Sequence, residues 1–118
     1  MTPLKLGIAL VHGRSMEPTL HEGDRLLVLY GARPRCGKLA LVRLPDDATG
    51  VPRPLAVKRL TGRDPQGGDG WWVERDNPQE GLDSWAPDVG AIPATGIRAR
   101  VLLRVPERLH MWVPARLR

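Results

Sequence analysis

Serine is rare in this sequence, and one of the two serines lies in a segment where its hydroxyl could act as a nucleophile. The 118 residues include only Ser15 and Ser84, and Ser15 follows the first apolar segment. Pro18 disfavours helix at the residue before it and predicts a tight turn, which leaves the backbone N–H of Ser15 free. A hydroxyl beside an unpaired N–H suits a nucleophile with its own oxyanion donor. The alternative is that Ser15 only caps a short turn.

Lysine is scarce as well, since only three of the 18 basic residues are lysines, at positions 5, 38 and 58. Lys58 lies in an apolar segment whose alternation places Ala56 and Leu60 on its own face. If that face is buried, desolvation lowers the pKa of Lys58 from ~10.4 toward neutrality. A neutral amine could accept the proton of a serine hydroxyl, which predicts a catalytic Ser–Lys pair. Arginine could not act as this proton acceptor, because its guanidinium stays charged. The alternative is that Lys58 keeps its amine in water at the sheet edge.

The histidines and the single cysteine give no sign of a metal centre. His12, His21 and His110 have no partner His or Cys at ligand spacing, and Cys36 is the only cysteine. We therefore predict no metal site, no cofactor and no internal disulfide.

The composition predicts a small all-β protein. The chain contains 13 glycines and 12 prolines, which favour short strands and many turns over long helices. We expect one domain over residues 1–118, a small coiled antiparallel fold or partly open barrel, with residues from about 105 to 118 as a loosely held tail. The predicted strands cover residues 6–11, 25–30, 39–44, 55–60, 71–74 and 97–105.

The last predicted strand alternates most clearly between apolar and basic residues. This pattern is typical of a half-buried strand in an antiparallel sheet. One expected face carries Ile97, Ala99, Val101, Leu103 and Val105, and the other carries Arg98, Arg100 and Arg104.

The distribution of charge limits the kinds of molecule that the protein is expected to bind. The net charge is +5, but the basic residues are dispersed, and no run is longer than Lys58-Arg59. Such dispersed charge is more typical of an ordinary soluble surface than of a nucleic-acid-binding patch.

The hydropathy pattern shows no membrane-spanning segment. The longest apolar run, residues 6–11, is far shorter than the roughly 20 residues of a membrane-spanning helix, and it is also too short for a secretory leader. We expect a cytoplasmic protein without an integral membrane segment, and the oligomeric state is left open.

Five short segments occur along the chain in this order: Ser15-Met16-Glu17-Pro18-Thr19-Leu20, Gly23-Asp24, Val57-Lys58-Arg59-Leu60, Asp76-Asn77 and Asp83-Ser84. Together they resemble the ordered boxes of type I signal peptidases and their relatives. Within that group the chain most resembles the short maturation peptidases of nickel-type superoxide dismutase, through residues 23–28, 30–33 and 70–73. The resemblance implies a fold of the signal peptidase–LexA type, and a substrate strand that pairs beside the serine with small side chains near the cut.

The resemblance also implies roles for individual residues. Ser15 would attack the scissile carbonyl, Lys58 would be the general base, and the Ser15 N–H would stabilise the oxyanion. Gly13 stands where some relatives carry a second hydroxyl donor, so the chain is similar to the branch that relies on the backbone. Asp24 is expected to close the turn into the next strand. The residues expected to line the pocket for the side chain before the cut are Val11, Met16 and Val57.

The chain departs from the family pattern near its supporting residues, which are Asp76, Asp83 and Ser84. The usual Gly-Asp-Asn reads Arg75-Asp76-Asn77. Gly81 stands where many relatives have a serine that orients the lysine, and Trp85 stands where they have an arginine. These changes leave open what orients Lys58 and what pairs with Asp83.

The sequence thus predicts a serine endopeptidase that removes an N-terminal leader or pro-peptide from a precursor protein. The precursor of nickel superoxide dismutase is a candidate substrate. One alternative is a signal peptidase core that acts at a membrane through a partner. Another is a non-catalytic basic β-barrel that binds nucleic acid, whose affinity would fall steeply with salt. Self-cleavage in the manner of LexA-type repressors is disfavoured, because no DNA-binding segment precedes Ser15 in this sequence.

Overall fold

Six antiparallel strands make up most of the regular structure. The computed structural model describes residues 3–112. Its two short 3-10 helices are Ala94–Gly96 and Glu107–Trp112. The predicted all-β class with little helix is confirmed, and each predicted strand corresponds to an observed one. The strands are β1 (Lys5–Leu10), β2 (Arg25–Tyr30), β3 (Leu39–Arg43), β4 (Leu55–Arg63), β5 (Trp71–Glu74) and β6 (Ile97–Arg104).

The strands form a single sheet in the order β1-β2-β6-β3-β4-β5, and it is not closed into a barrel. All neighbouring strands are antiparallel. The outer edge of β5 is covered by backbone bonds from Trp71 to Ile92, each 2.7 Å long, and by Ser84, which bonds Val73. The outer edge of β1 has no partner strand among residues 3–112.

Within residues 3–112, the N-terminal half of β4 has no partner strand on the side that faces β5. Pairing between these two strands begins only at Arg59, which lies opposite Glu74. Residues 55–58 therefore have β3 on one side and no strand on the other within the described chain. This open half carries Lys58.

Strand β6 contradicts the simple alternation that its sequence predicts. Leu27 pairs with Leu103 and Val28 pairs with Val101, so Leu102 is an extra residue in a bulge. A bulge shifts the phase of the inward and outward positions. The assignment of Leu103 to the buried face is therefore wrong: it is 49% exposed, whereas Ala99 is buried.

Apolar side chains pack on both faces of the middle strands, which explains why β3 reads as a continuous apolar run. Successive residues of a strand point to opposite faces, so Leu41 and Val42 belong to different clusters. The cluster that contains Met16 of the Ser15 turn is called the turn-side cluster, and the other the β5-side cluster. The turn-side cluster consists of Ala9, Val11, Met16, Leu20, Leu26, Val28, Leu41 and Ala99. The β5-side cluster consists of Ala40, Val42, Leu44, Leu60, Trp71, Val73, Val89 and Ile92.

The tail predicted to begin near residue 105 lies only partly within the described chain. Val105 is buried, and its N–H donates to the carbonyl of Arg25 at 2.7 Å. The 3-10 helix Glu107–Trp112 follows, and residues 113–118 lie outside the described range.

Candidate active site

Ser15 lies in the turn segment 13–20, which connects β1 to β2. Backbone bonds between Val11 and residues 23 and 24, each 2.9 Å long, close the base of this connection. Met16 and Leu20 are buried in the turn-side cluster and anchor the turn from below. Gly13, with a φ of 80°, adopts the left-handed conformation that glycine allows, and its N–H donates to Glu22. The turn is thus fixed by the core while Ser15 stays partly accessible.

Asp24 performs the structural task expected of it. Its carboxylate accepts the N–H of His21 at 2.8 Å, and its own N–H donates to the carbonyl of His21. These bonds close the turn that leads into β2.

Asn77 holds the backbone on both sides of the serine. Its N–H donates to the carbonyl of Ser15 at 2.8 Å, and its side-chain Nδ2 donates to the carbonyl of Arg14 at 2.8 Å. Sequence reasoning quoted Asn77 in a box but gave it no task. Within residues 3–112 the N–H of Ser15 itself has no acceptor, so it is available to an oxyanion.

Lys58 reaches this turn from the open half of β4. It is 3% exposed, with Leu60 buried on the same face and Ala40 of β3 opposite. Its Nζ lies 2.9 Å from Ser15 Oγ, the only hydrogen-bond partner of the amine in the described part of the chain. An ammonium group has three donors, so the charged form would leave two of them unsatisfied in a buried site. The surroundings therefore make protonation of Lys58 less favourable than it is in water.

The electrostatics of Lys58 agree with this count. Burial lowers the pKa of Lys58 from 10.5 to about 8, because the ammonium loses its water; the charge of Asp83 raises this pKa and that of Arg75 lowers it. At pH 7 roughly a tenth of the amine is then neutral. A base in this range can act near physiological pH.

Gly81 packs directly against the serine. An ideal Cβ built on Gly81 would lie 2.5 Å from the Cβ of Ser15 and 3.5 Å from its Oγ. The φ of Gly81 is 90°, which also requires glycine. A serine at this position, as in the family that the sequence resembles, could not be accommodated here without moving Ser15. Sequence reasoning found the departure, but only the packing explains it.

Among the described residues, Asp76 forms no hydrogen bond with Ser15 or Lys58, and it instead connects the Ser15 turn to β4 as a clamp. Its carboxylate accepts two hydrogen bonds from Arg59, at 3.0 and 2.8 Å, and one from Thr19 Oγ1 at 2.5 Å. The Arg59 guanidinium and the Thr19 hydroxyl hold the pKa of Asp76 below its usual value. Because Thr19 belongs to the Ser15 turn and Arg59 follows Lys58, the clamp connects the segments that carry the two reactive groups.

Asp83 and Ser84 are buried supporting residues. Ser84 Oγ accepts the N–H of Val73 at 2.9 Å and so completes the covering of β5. Asp83 accepts the N–H of Trp85 at 3.1 Å and that of Arg75 at 3.2 Å. The guanidinium of Arg75 lies 3.6 Å from the same carboxylate, so Arg75 is the ion-pair partner of Asp83 that the sequence left open.

A cleft of about 510 Å³ opens beside the Ser15–Lys58 pair. Its volume is in the usual range for ligand sites. The three residues predicted to line a substrate pocket, Val11, Met16 and Val57, all line it. Pro54 and the first four residues of β4, 55–58, line the same cleft.

Two other features of the described residues bear on function. Residues 3–112 contain no cluster of three or more His, Cys, Asp or Glu side chains that could hold a metal ion. In the same range, no helix has the length and apolar character that crossing a membrane requires.

Comparisons with protein-family models, curated proteins and solved structures found no match. A functional assignment therefore depends on the geometry around Ser15 and Lys58.

Proposed function

We propose that this chain is a serine endopeptidase in which Ser15 is the nucleophile and Lys58 the general base. The observation that carries the proposal is the 2.9 Å contact between Ser15 Oγ and an amine that is 3% exposed and has a pKa of about 8. Burial of a lysine costs stability, and a chemical task for the neutral amine gives a reason for that cost; the group within hydrogen-bond distance of the amine is a serine hydroxyl.

The arrangement supports acyl transfer in two stages. As Ser15 Oγ forms a bond to the scissile carbonyl carbon, Lys58 Nζ takes the hydroxyl proton, and the free N–H of Ser15 donates to the developing oxyanion. Collapse of the tetrahedral intermediate breaks the C–N bond, and Lys58 gives its proton to the leaving amine. Water then attacks the acyl ester with Lys58 again as base, which releases the acid product and restores Ser15.

The shape of the cleft supports an extended peptide as substrate. The half of β4 before Arg59 lacks a partner strand in the described chain, so its backbone groups can pair with an added strand. Val11, Met16 and Val57 make the wall beside the serine apolar, which suits small apolar side chains next to the cut. We therefore propose removal of an N-terminal leader or pro-peptide from a precursor in the cytoplasm. The nickel superoxide dismutase precursor is the candidate that the resemblance suggests.

The test is to incubate the purified chain with candidate precursors and to read new N-termini by mass spectrometry. We expect one new N-terminus per substrate, and loss of several orders of magnitude in rate for Ser15→Ala and for Lys58→Ala. Since the two groups act together, the double variant should be little worse than either single one. Cleavage that persists in Ser15→Ala, or in Lys58→Arg with its permanent charge, would refute this mechanism.

A further inference from the structure

Arg75 makes polar contacts with Gly81 and Asp83 beside the candidate site, and within residues 3–112 it forms no hydrogen bond or ion pair with Ser15 or Lys58. It follows the last residue of β5, and its side chain is 31% exposed. One arm, Nη1, donates to the carbonyl of Gly81 at 2.6 Å. The Nε atom lies 3.6 Å from Asp83 Oδ2, and the backbone N–H of Arg75 donates to that same oxygen at 3.2 Å. The residue thus connects Gly81 with Asp83.

The contact with Gly81 bears on the nucleophile. Gly81 packs so tightly on Ser15 that no Cβ fits between them. A hydrogen bond that fixes the Gly81 carbonyl therefore also fixes the surface against which the Ser15 side chain rests.

The contact with Asp83 bears on the base. Asp83 is 6% exposed, and its negative charge favours the protonated form of Lys58, whereas the positive charge of Arg75 opposes it. The other charged groups nearby are Arg59, which pairs with Asp76 away from the site, and Arg14 and Glu80 at the mouth of the cleft. Without Arg75, the buried Asp83 carboxylate would lack the ion pair that the structure gives it.

We propose that Arg75 is a positioning residue for the peptidase function proposed above: its guanidinium holds Gly81 against Ser15 and offsets the charge of Asp83 that acts on Lys58. Arginine suits both tasks because its planar fork carries several fixed donors, while a lysine ammonium is a single point charge.

Variants of the whole chain separate the hydrogen bond to Gly81 from the charge effect on Lys58. Arg75→Gln removes the charge, and Arg75→Lys keeps the charge but not the fork. Arg63→Gln is the matched control, because Arg63 also donates to a backbone carbonyl, that of Asp69 at 2.9 Å, at the far end of the β4–β5 hairpin. The readout is the Lys58 pKa, measured by NMR on protein labelled at the lysine side chains; only three lysines are present, and Lys58→Arg assigns the signal. Folding of each variant is checked by thermal unfolding.

We expect Arg75→Gln to raise the Lys58 pKa by about half a unit or more, and the acid limb of the rate profile to move with it. Arg75→Lys should leave the pKa within a few tenths of a unit while the rate falls about tenfold at all pH values, through the lost hold on Gly81. Arg63→Gln should change neither quantity.

An unchanged Lys58 pKa in folded Arg75→Gln would refute the proposed charge effect of Arg75 on Lys58. Full activity in Arg75→Lys would refute the proposed role of the hydrogen bond to Gly81. If Arg75→Gln does not fold, the Arg75→Gln/Asp83→Asn double variant is compared with Asp83→Asn alone. The Lys58 pKa should then be higher in the double variant, because only the opposing charge of Arg75 differs between the two, and equal pKa values would refute the inference. The pKa measurement needs no substrate. A shifted pKa in a chain that cleaves no precursor would support the role of Arg75 and refute the peptidase proposal.

Discussion

Gly81 and Ser15 lie so close that the space between their backbones admits no side-chain carbon at position 81. The contact joins the segment after β5 to the turn after β1, and it limits where the serine hydroxyl can point. Lys58 Nζ lies 2.9 Å from that hydroxyl. Ser15 thus contacts both a backbone segment that leaves no room for a side chain and the amine that we propose as its proton acceptor.

Gly81→Ala should reduce peptidase activity by about a hundredfold, because the added Cβ must displace the Ser15 Cβ that it would otherwise meet at 2.5 Å. The matched control is Gly67→Ala. Gly67 has nearly the same φ, 92° against 90°, but a Cβ there meets nothing within 4 Å. Both variants should lose stability through backbone strain. Steady-state rates at equal folded fraction separate them, and equal activity in the two would contradict this role of Gly81.

Activity should rise with pH through about 8. The free amine is the reactive form of Lys58, and its pKa is about 8, so kcat/KM should increase roughly tenfold per pH unit below 7.5 and level off above 8.5. The measurement is kcat/KM between pH 5.5 and 9.5 with one peptide substrate. A profile that is flat or falling across this range would show that Lys58 is not the base.

Lys58→Met should inactivate the protein and yet stabilise it near neutral pH. Lowering the Lys58 pKa from 10.5 to about 8 means that the folded state binds the proton more weakly than the unfolded chain. Wild-type stability should therefore rise as pH increases from 8 to 10.5, and below pH 8 the full penalty of about 3 kcal/mol applies. Methionine has a similar length and no charge, so it avoids this penalty.

Urea unfolding at pH 7 and pH 10.5 measures this difference. We expect a gain of up to about 3 kcal/mol for Lys58→Met at pH 7 that shrinks toward pH 10.5. A loss of stability at pH 7 would mean that Lys58 is a structural residue whose charge is satisfied.

Asp76→Asn should lower activity about tenfold, because it loosens the clamp between Thr19 and Arg59 that holds the Ser15 turn to β4. The expected loss of stability is about 1–2 kcal/mol. Asp88→Asn is the control. Asp88 forms a similar ion pair with Arg53, in which the nitrogen and oxygen atoms are 2.7 Å apart, but this pair does not involve the Ser15 turn. If both variants lowered the rate equally, the clamp would have no specific effect on the site.

Val57→Phe should block peptide cleavage without damaging the reactive pair. Val57 lines the cleft, and strand alternation points it away from the face that carries Lys58. We expect kcat/KM for peptides to fall tenfold or more while hydrolysis of a small activated acetyl ester persists. Val51→Phe, at a 55% exposed position, is the size-matched control. Parallel loss of peptide and ester hydrolysis in Val57→Phe would place the damage in the pair itself.

The sequence determined the local elements well. Strand β2 and strand β5 begin and end at the predicted residues, because apolar alternation and the flanking glycines and prolines act over a few neighbours. The same alternation placed Lys58 on one face with Leu60 but left open whether that face is buried, and the structure buries both residues. The alternation failed at Leu103, since the bulge at Leu102 depends on how β6 pairs with β2 and leaves little trace in the local pattern.

The site itself was decided by tertiary structure. From residue types and family resemblance, Ser15 and Lys58 were predicted to act together, but a distance of 2.9 Å across 43 positions depends on how β4 packs beside the turn after β1. The tasks of Asn77, Gly81 and Arg75 had no sequence signal of their own, because each acts through a contact with a residue distant in the chain. Local propensity fixes short segments, whereas burial, charge and hydrogen bonding between distant segments exist only once the chain has folded.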